Sequence, residues 1–104
     1  MHLEFLQGSY GIILYLTTRS VPFAPLLQED SKSTVIMQIG TFEECLIVER
    51  LEGGQKLLLP EPLVEQIISA LRAGTSIFFK TGRYQLTVSP DGFARAYALF
   101  DARL

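Results

Sequence analysis

A chain of 104 residues, 48% of them hydrophobic and 19% charged, is long enough for one core and too apolar for disorder, so a single domain spanning 1–104 is expected. Its formal net charge of −2 denies it the general basic footprint that phosphate contacts need, and a nucleic-acid partner is excluded from the expectation. One cysteine, Cys45, and one histidine, His2, leave no intramolecular disulfide, no Cys-based zinc site and no second histidine for the usual metal or Ser/His constellations.

The opening stretch "MHLEFLQGSYGIILYLTT" has no Lys or Arg in its first residues, only a short apolar run and no small-residue cleavage site. No stretch approaches the ~20 apolar residues of a membrane span. A soluble, cytoplasmic chain without a transmembrane segment is the expectation. Within the opening, "YGIILYLTT" (10–18) alternates Ile12, Leu14 and Leu16 with Ile13, Tyr15 and Thr17, which reads as a strand covered on both faces.

Pro22 and Pro25 then make a central strand improbable in "RSVPFAPLLQEDSKS", and an edge segment followed by an exposed loop at Glu29 to Ser33 is predicted. "STVIMQIG" places Val35, Met37 and Ile39 on one face. After Gly40 comes "EECLIVERLE", the second arm of a hairpin, and Gly53-Gly54 turns the chain into the short strand "QKLLLP". At "PEPLVEQIISALRAG" the period becomes helical. Pro62 suits the first helical position, Leu63, Val64, Ile67, Ala70 and Leu71 share a face, and Gly74 supplies the stop.

Alternation returns in "TSIFFKTGRYQLTVS", a hairpin with Thr81-Gly82 at its tip, Ile77 and Phe79 on one arm and Tyr84, Leu86 and Val88 on the other. Asp91 is placed to cap a terminal helix whose Phe93, Ala96, Tyr97, Phe100 and Leu104 share a face. This order predicts an α+β fold, a curved antiparallel sheet or small barrel with one central helix and a C-terminal helix.

No catalytic, cofactor-binding or metal-binding residue is assigned. The glycines of "GTFEEC" and "GG" lack the spacing of a phosphate loop. Glu43, Glu44 and Glu49 would need two different environments around a cleft to do acid–base work, and neighbours on a strand point to opposite faces. Cys45 lies among acidic residues, whereas reactive thiolates want positive neighbours, so a buried strand thiol is expected. Lys80, Arg83 and Tyr84 at the hairpin tip are the candidate partner contacts, able to grip an anionic group. Gly74, Ser89, Asp91, Gly92 and Phe93 form structural junctions. In "SPDGF" the proline ends the strand, the aspartate caps, and the glycine permits close backbone approach.

Charge is uneven. Four basic against nine acidic residues up to residue 69 give −5, and five basic against two acidic beyond it give +3. A mixed surface accounts for this, although the halves could attract each other within or between subunits.

"LVEQIISALRAGTSIFFKTG" followed by "LTVSPDGFARAYALF" resembles the C-terminal part of the invasion-associated locus B family of bacterial proteins, over about residues 61–100. The matching positions are Leu71, Gly74, Ser89, Gly92, Phe93 and Ala96. The resemblance implies a largely β, non-enzymatic protein associated with the envelope or with host interaction, periplasmic or exported. Members carry export signals and several disulfide cysteines, which this chain does not show.

Two function classes follow. A protein-interaction module needs only an apolar or mixed patch, and so apolar a short chain favours a protein partner, a second copy of itself included. The alternative is a small-molecule-binding protein or enzyme with a carboxylate-lined pocket on the sheet, at Glu43 or Glu49.

Overall fold

The computed structural model describes residues 1–9, 11–93 and 95. Strands β1 (His2–Gly8), β2 (Gly11–Thr17), β3 (Lys32–Ile39), β4 (Phe42–Arg50) and β5 (Lys56–Leu58) precede helix α1 (Glu61–Arg72), and β6 (Ile77–Thr81) and β7 (Tyr84–Val88) follow it. A second helix begins at Pro90. The fold is the α+β arrangement that the alternating periods require, a single antiparallel seven-stranded sheet curled into a half-barrel, in the order β1-β2-β5-β4-β3-β6-β7.

One inner face supplies the core. Leu14 and Leu16 of β2, Val35 and Met37 of β3, Leu46 and Val48 of β4, Leu57 of β5, and Ile77 and Phe79 of β6 are all buried. Because strand side chains alternate, the residues between them face outward. Cys45 follows that rule and is exposed, which corrects the expectation of a buried thiol. Leu46 and Val48 take the interior, so Cys45 and Ile47 are turned out.

Strands β3, β4 and β5 are joined by short turns, and β5 returns to lie beside β2, a Greek-key arrangement. The long connection from β2 to β3 forms no edge strand. It crosses one end of the barrel and is fixed there by Phe23, whose ring meets Tyr84 at 5.2 Å, and by Arg50, whose Nε donates to the Phe23 carbonyl at 2.8 Å. Ser33, expected in the exposed loop, is buried, and its hydroxyl donates to the Ala24 carbonyl at 2.8 Å. Gly54 makes the close approach at this end. It holds φ +71°, and a Cβ would run into the Arg50 guanidinium and lie 2.9 Å from Pro22.

Helix α1 begins one residue before Pro62, at Glu61, and buries Leu63, Val64, Ile67, Ile68 and Leu71. It packs against β2 and β6, with β5, β4 and β3 between them in the sheet, and so spans the concavity. Gly74, at φ +86°, ends it: the Gly74 N–H donates to Leu71 O at 3.1 Å and the Thr75 N–H to Ala70 O at 2.9 Å, a Schellman pair.

At "SPDGF" the capping residue is Ser89 and not Asp91. The Ser89 hydroxyl accepts the Gly92 N–H at 3.1 Å, the Ser89 carbonyl accepts the Phe93 N–H at 3.0 Å, and Asp91 sits exposed within the first turn. Serine precedes Pro90, and proline is favoured as the first helical residue, so the cap falls two residues before the aspartate. Gly92 is helical, and a Cβ there would meet Ser89 Oγ at 3.0 Å, so neither a positive φ nor a sheet contact requires it. Phe93 is 4% exposed and its ring lies 5.6 Å from that of Phe5. The expectations for Tyr10, Ala96, Tyr97, Phe100 and Leu104 fall outside the described residues.

Candidate functional site

The site arises from a mismatch in strand length. β2 has seven residues and β4 has nine, but β5 between them has three. Pro60 and Pro62 are the local cause, since neither has an N–H for a ladder and both suit the start of a helix. β5 pairs with Tyr15 to Thr17 on one side and with Glu49 and Arg50 on the other. The last rung is the Leu59 N–H to the Leu14 carbonyl, 3.0 Å. Beyond it Gly11–Ile13 and Phe42–Val48 have no pairing partner on that side among the described residues.

A cleft of about 1260 Å³ occupies the gap. Ile12 and Val48 line it from the inner face, Ile13, Tyr15, Ile47 and Glu49 from the outer, and Val64, Ile68 and Ser69 from α1. Walls drawn from both faces mean that the cleft cuts through the sheet. Its lining is mainly apolar, and Ile47 on its rim is 63% exposed.

The charged groups of the cleft are Lys32, Glu49, Glu61, Glu65 and Arg72. Lys32 Nζ donates to Glu49 Oε1 across the β3–β4 pair, where the two residues are directly opposite. That hydrogen bond holds the Lys32 ammonium above its ordinary value, against a smaller opposing effect of desolvation, with the charges of Glu49 and Glu29 adding to it. Glu61 and Glu65, one turn apart on α1, have no ion-pair partner among the described residues.

The predicted contact residues separate. Lys80 is exposed on the outer face of β6 opposite Ile36, and Arg83 is exposed at the hairpin tip. Tyr84 is half-buried, its ring against Phe23 and its hydroxyl donating to the Val21 carbonyl, so it is tied to the β2–β3 connection. None of the three lines the cleft. Of the three carboxylates, Glu49 lines it, while Glu43 lies outward opposite Gln38 and Glu44 inward opposite Met37. Among the described residues no group of three His, Cys, Asp or Glu side chains could hold a metal ion, and no helix is long and apolar enough to cross a membrane.

Sequence reading missed the cleft. Its one signal was "LLLPEP", a strand cut short by proline, and the neighbours that it leaves unpaired are distant in sequence. Comparison of the chain with family models, with curated proteins and with solved structures returns no match, so the meaning of the cleft rests on its geometry.

Proposed function

We propose that this protein is a non-enzymatic protein-interaction module and that the cleft between β2, β4 and α1 receives its partner. The observation that carries the reading is an apolar-walled gap through the sheet, open to solvent and bordered by unpaired strand. Its volume exceeds the ~300–1,000 Å³ of small-molecule pockets, which favours a larger occupant over the alternative of a small ligand at a carboxylate. Glu49, the sheet carboxylate on the cleft, is hydrogen-bonded to Lys32 and serves as rim. In a bacterial protein resembling the invasion-associated locus B family, such a module would act at the envelope or toward a host.

The test is selection of a library of random short peptides on the parent protein and on Ser69→Trp. Ser69 is an exposed cleft residue, so an indole there fills the gap without disturbing the core. Peptides that bind the parent and not the filled variant are expected. Enrichment of none, or equal binding to both proteins, overturns the reading.

A further inference from the structure

Resting on that reading, we propose that the occupant is an extended strand of another protein, inserted in line with β5 and antiparallel to both β2 and β4, apolar on both its faces and carrying Lys or Arg at its N-terminal end.

The width of the gap is the first argument. Two strands that flank a third lie two ladder spacings apart, about 9 to 10 Å, which is room for one strand. β5 already sets that separation where it is present, and the cleft continues from its end.

Backbone direction is the second. The Leu14 carbonyl points toward β5, because it accepts from Leu59. Alternation along β2 then turns the N–H and C=O of Ile12 into the gap. On β4 the Arg50 N–H donates to Ser31 on the β3 side, so alternation aims the backbone groups of Ile47 and Cys45 away from β3, toward the same gap. A strand that continues the register of β5 would place its first residue opposite Ile13 and Ile47, its second opposite Ile12 and Leu46 and its third opposite Gly11 and Cys45. Its first and third residues would bond to β4 and its second to β2, as a central strand requires. Backbone groups on both walls without a pairing partner among the described residues call for a polypeptide, which main-chain pairing recognises, with side-chain pockets adding selectivity.

The walls define the side chains. The second residue would point inward, toward the apolar face of α1 at Val64 and Ile68, and the first would lie between Ile13 and Ile47 on the outer surface. Both positions therefore select apolar residues. Charge defines the end: residues preceding the first paired position must leave the sheet where Pro60 and Glu61 leave it, past the carboxylates of Glu61 and Glu65. A cation there complements both. Among the described residues the strands that open on or just after a Lys or Arg, Lys32–Ile39, Lys56–Leu58 and Tyr84–Val88, are already built into the sheet as β3, β5 and β7, so the strand is expected from a different protein.

The experiment uses the blocked peptide Lys-Lys-Val-Ile-Val-Thr, fluorescently labelled, with its binding to the full chain read by anisotropy and amide exchange followed at Ile12 and Ile47. Binding with new protection of both amides is expected. Methylating the peptide nitrogens that face β2 and β4 should weaken it about tenfold or more, since strand addition depends on those bonds. Moving the lysines to the C-terminal end, or combining Glu61→Lys with Glu65→Lys, should weaken it several-fold; both glutamates are exposed, and a thermal melt verifies that the variant is folded. If the methylated peptide binds as well as the parent peptide, or the designed peptide fails while library peptides still bind in a Ser69-dependent way, the strand proposal is overturned and the interaction reading stands. If no peptide of either source senses Ser69→Trp, both fall. Sedimentation of the protein alone completes the test: a dimer that excludes the peptide would show a second copy in the cleft and overturn a foreign strand.

Discussion

The curled sheet has two breaks, and they are finished in opposite ways. Where the edge strands β1 and β7 approach each other, the chain fills the seam with its own aromatic side chains: Phe93 packs tilted against Phe5, and Leu3, Leu86 and Val88 close around a residual space of about 240 Å³. Where β5 stops short between β2 and β4, about 1260 Å³ stays open, although Ile12, Ile13, Ile47, Val64 and Ile68 make its walls mainly apolar. Apolar surface left uncovered lowers the stability of the free chain, so the contrast sets a break closed for folding against one left open, which the proposed function reads as kept for binding.

Breaking the closed seam should produce the largest effect. Phe93→Ala removes a buried ring that bridges the turn after β7 to β1, and loss of a buried phenylalanine costs ~3 to 5 kcal/mol, out of ~5 to 15 for a whole domain. Denaturant melts should show the midpoint falling sharply with little change in slope. A loss below ~1 kcal/mol would mean that the seam is not a packing device. At the end of the barrel crossed by the β2–β3 connection, Gly54→Val should cost ~1 to 3 kcal/mol, because it places a branched side chain at a positive φ and into Arg50 and Pro22.

Matched changes at the open gap should do far less. Ser69→Ala, at an exposed position of the gap, should stay within ~0.5 kcal/mol of the parent, as should Lys80→Ala, an exposed control on β6 away from it. A large loss at Ser69 would show that the gap is closed in solution. Cys45, outward on the β4 wall, should react with a thiol reagent at nearly the rate of a free thiol. Slow labelling would mean that something covers this wall, and concentration dependence of the rate would identify a second copy.

How far sequence carries depends on which interaction decides each feature. α1 and the strands β2 to β7 were legible, because period and punctuation are local: "LVEQIISALRAG" repeats at helical spacing up to a glycine, and "TSIFFKTGRYQLTVS" alternates around Thr81-Gly82. β1 was not, because "HLEFLQG" alternates only weakly and gains its strand form by pairing along its whole length with β2. The facing of Cys45 was lost to a run of apolar neighbours that hid the alternation. The cap passed from Asp91 to Ser89 because two nearby residues could each do the work, and the proline between them decides. The cleft was beyond reach for a stronger reason. It is the absence of pairing between residues some thirty-five positions apart in sequence, Ile12 and Ile47, and only the strand order brings them to one gap.

The smallest effect belongs to the ion pair on the rim of the open gap, and its pH dependence has a defined sign. Hydrogen bonding to Glu49 raises the Lys32 ammonium in the folded chain above its ordinary 10.5. A group whose folded value is raised contributes stability that is fully present below the unfolded value and is lost as pH rises through the folded one. The Lys32–Glu49 pair should therefore add a constant increment from neutral pH to about 10, and that increment should vanish only in the more alkaline range. Lys32→Gln isolates it: parent and variant melts should differ slightly and by the same amount at pH 7 and pH 9, then converge above the folded value, with added salt shrinking the difference throughout because both groups face water. A difference that stays unchanged through the alkaline range would show that the ammonium is not raised, and a difference as large as that of Phe93→Ala would show that the open gap is held by its rim as firmly as the seam is by its aromatics, which would erase the distinction between the two breaks.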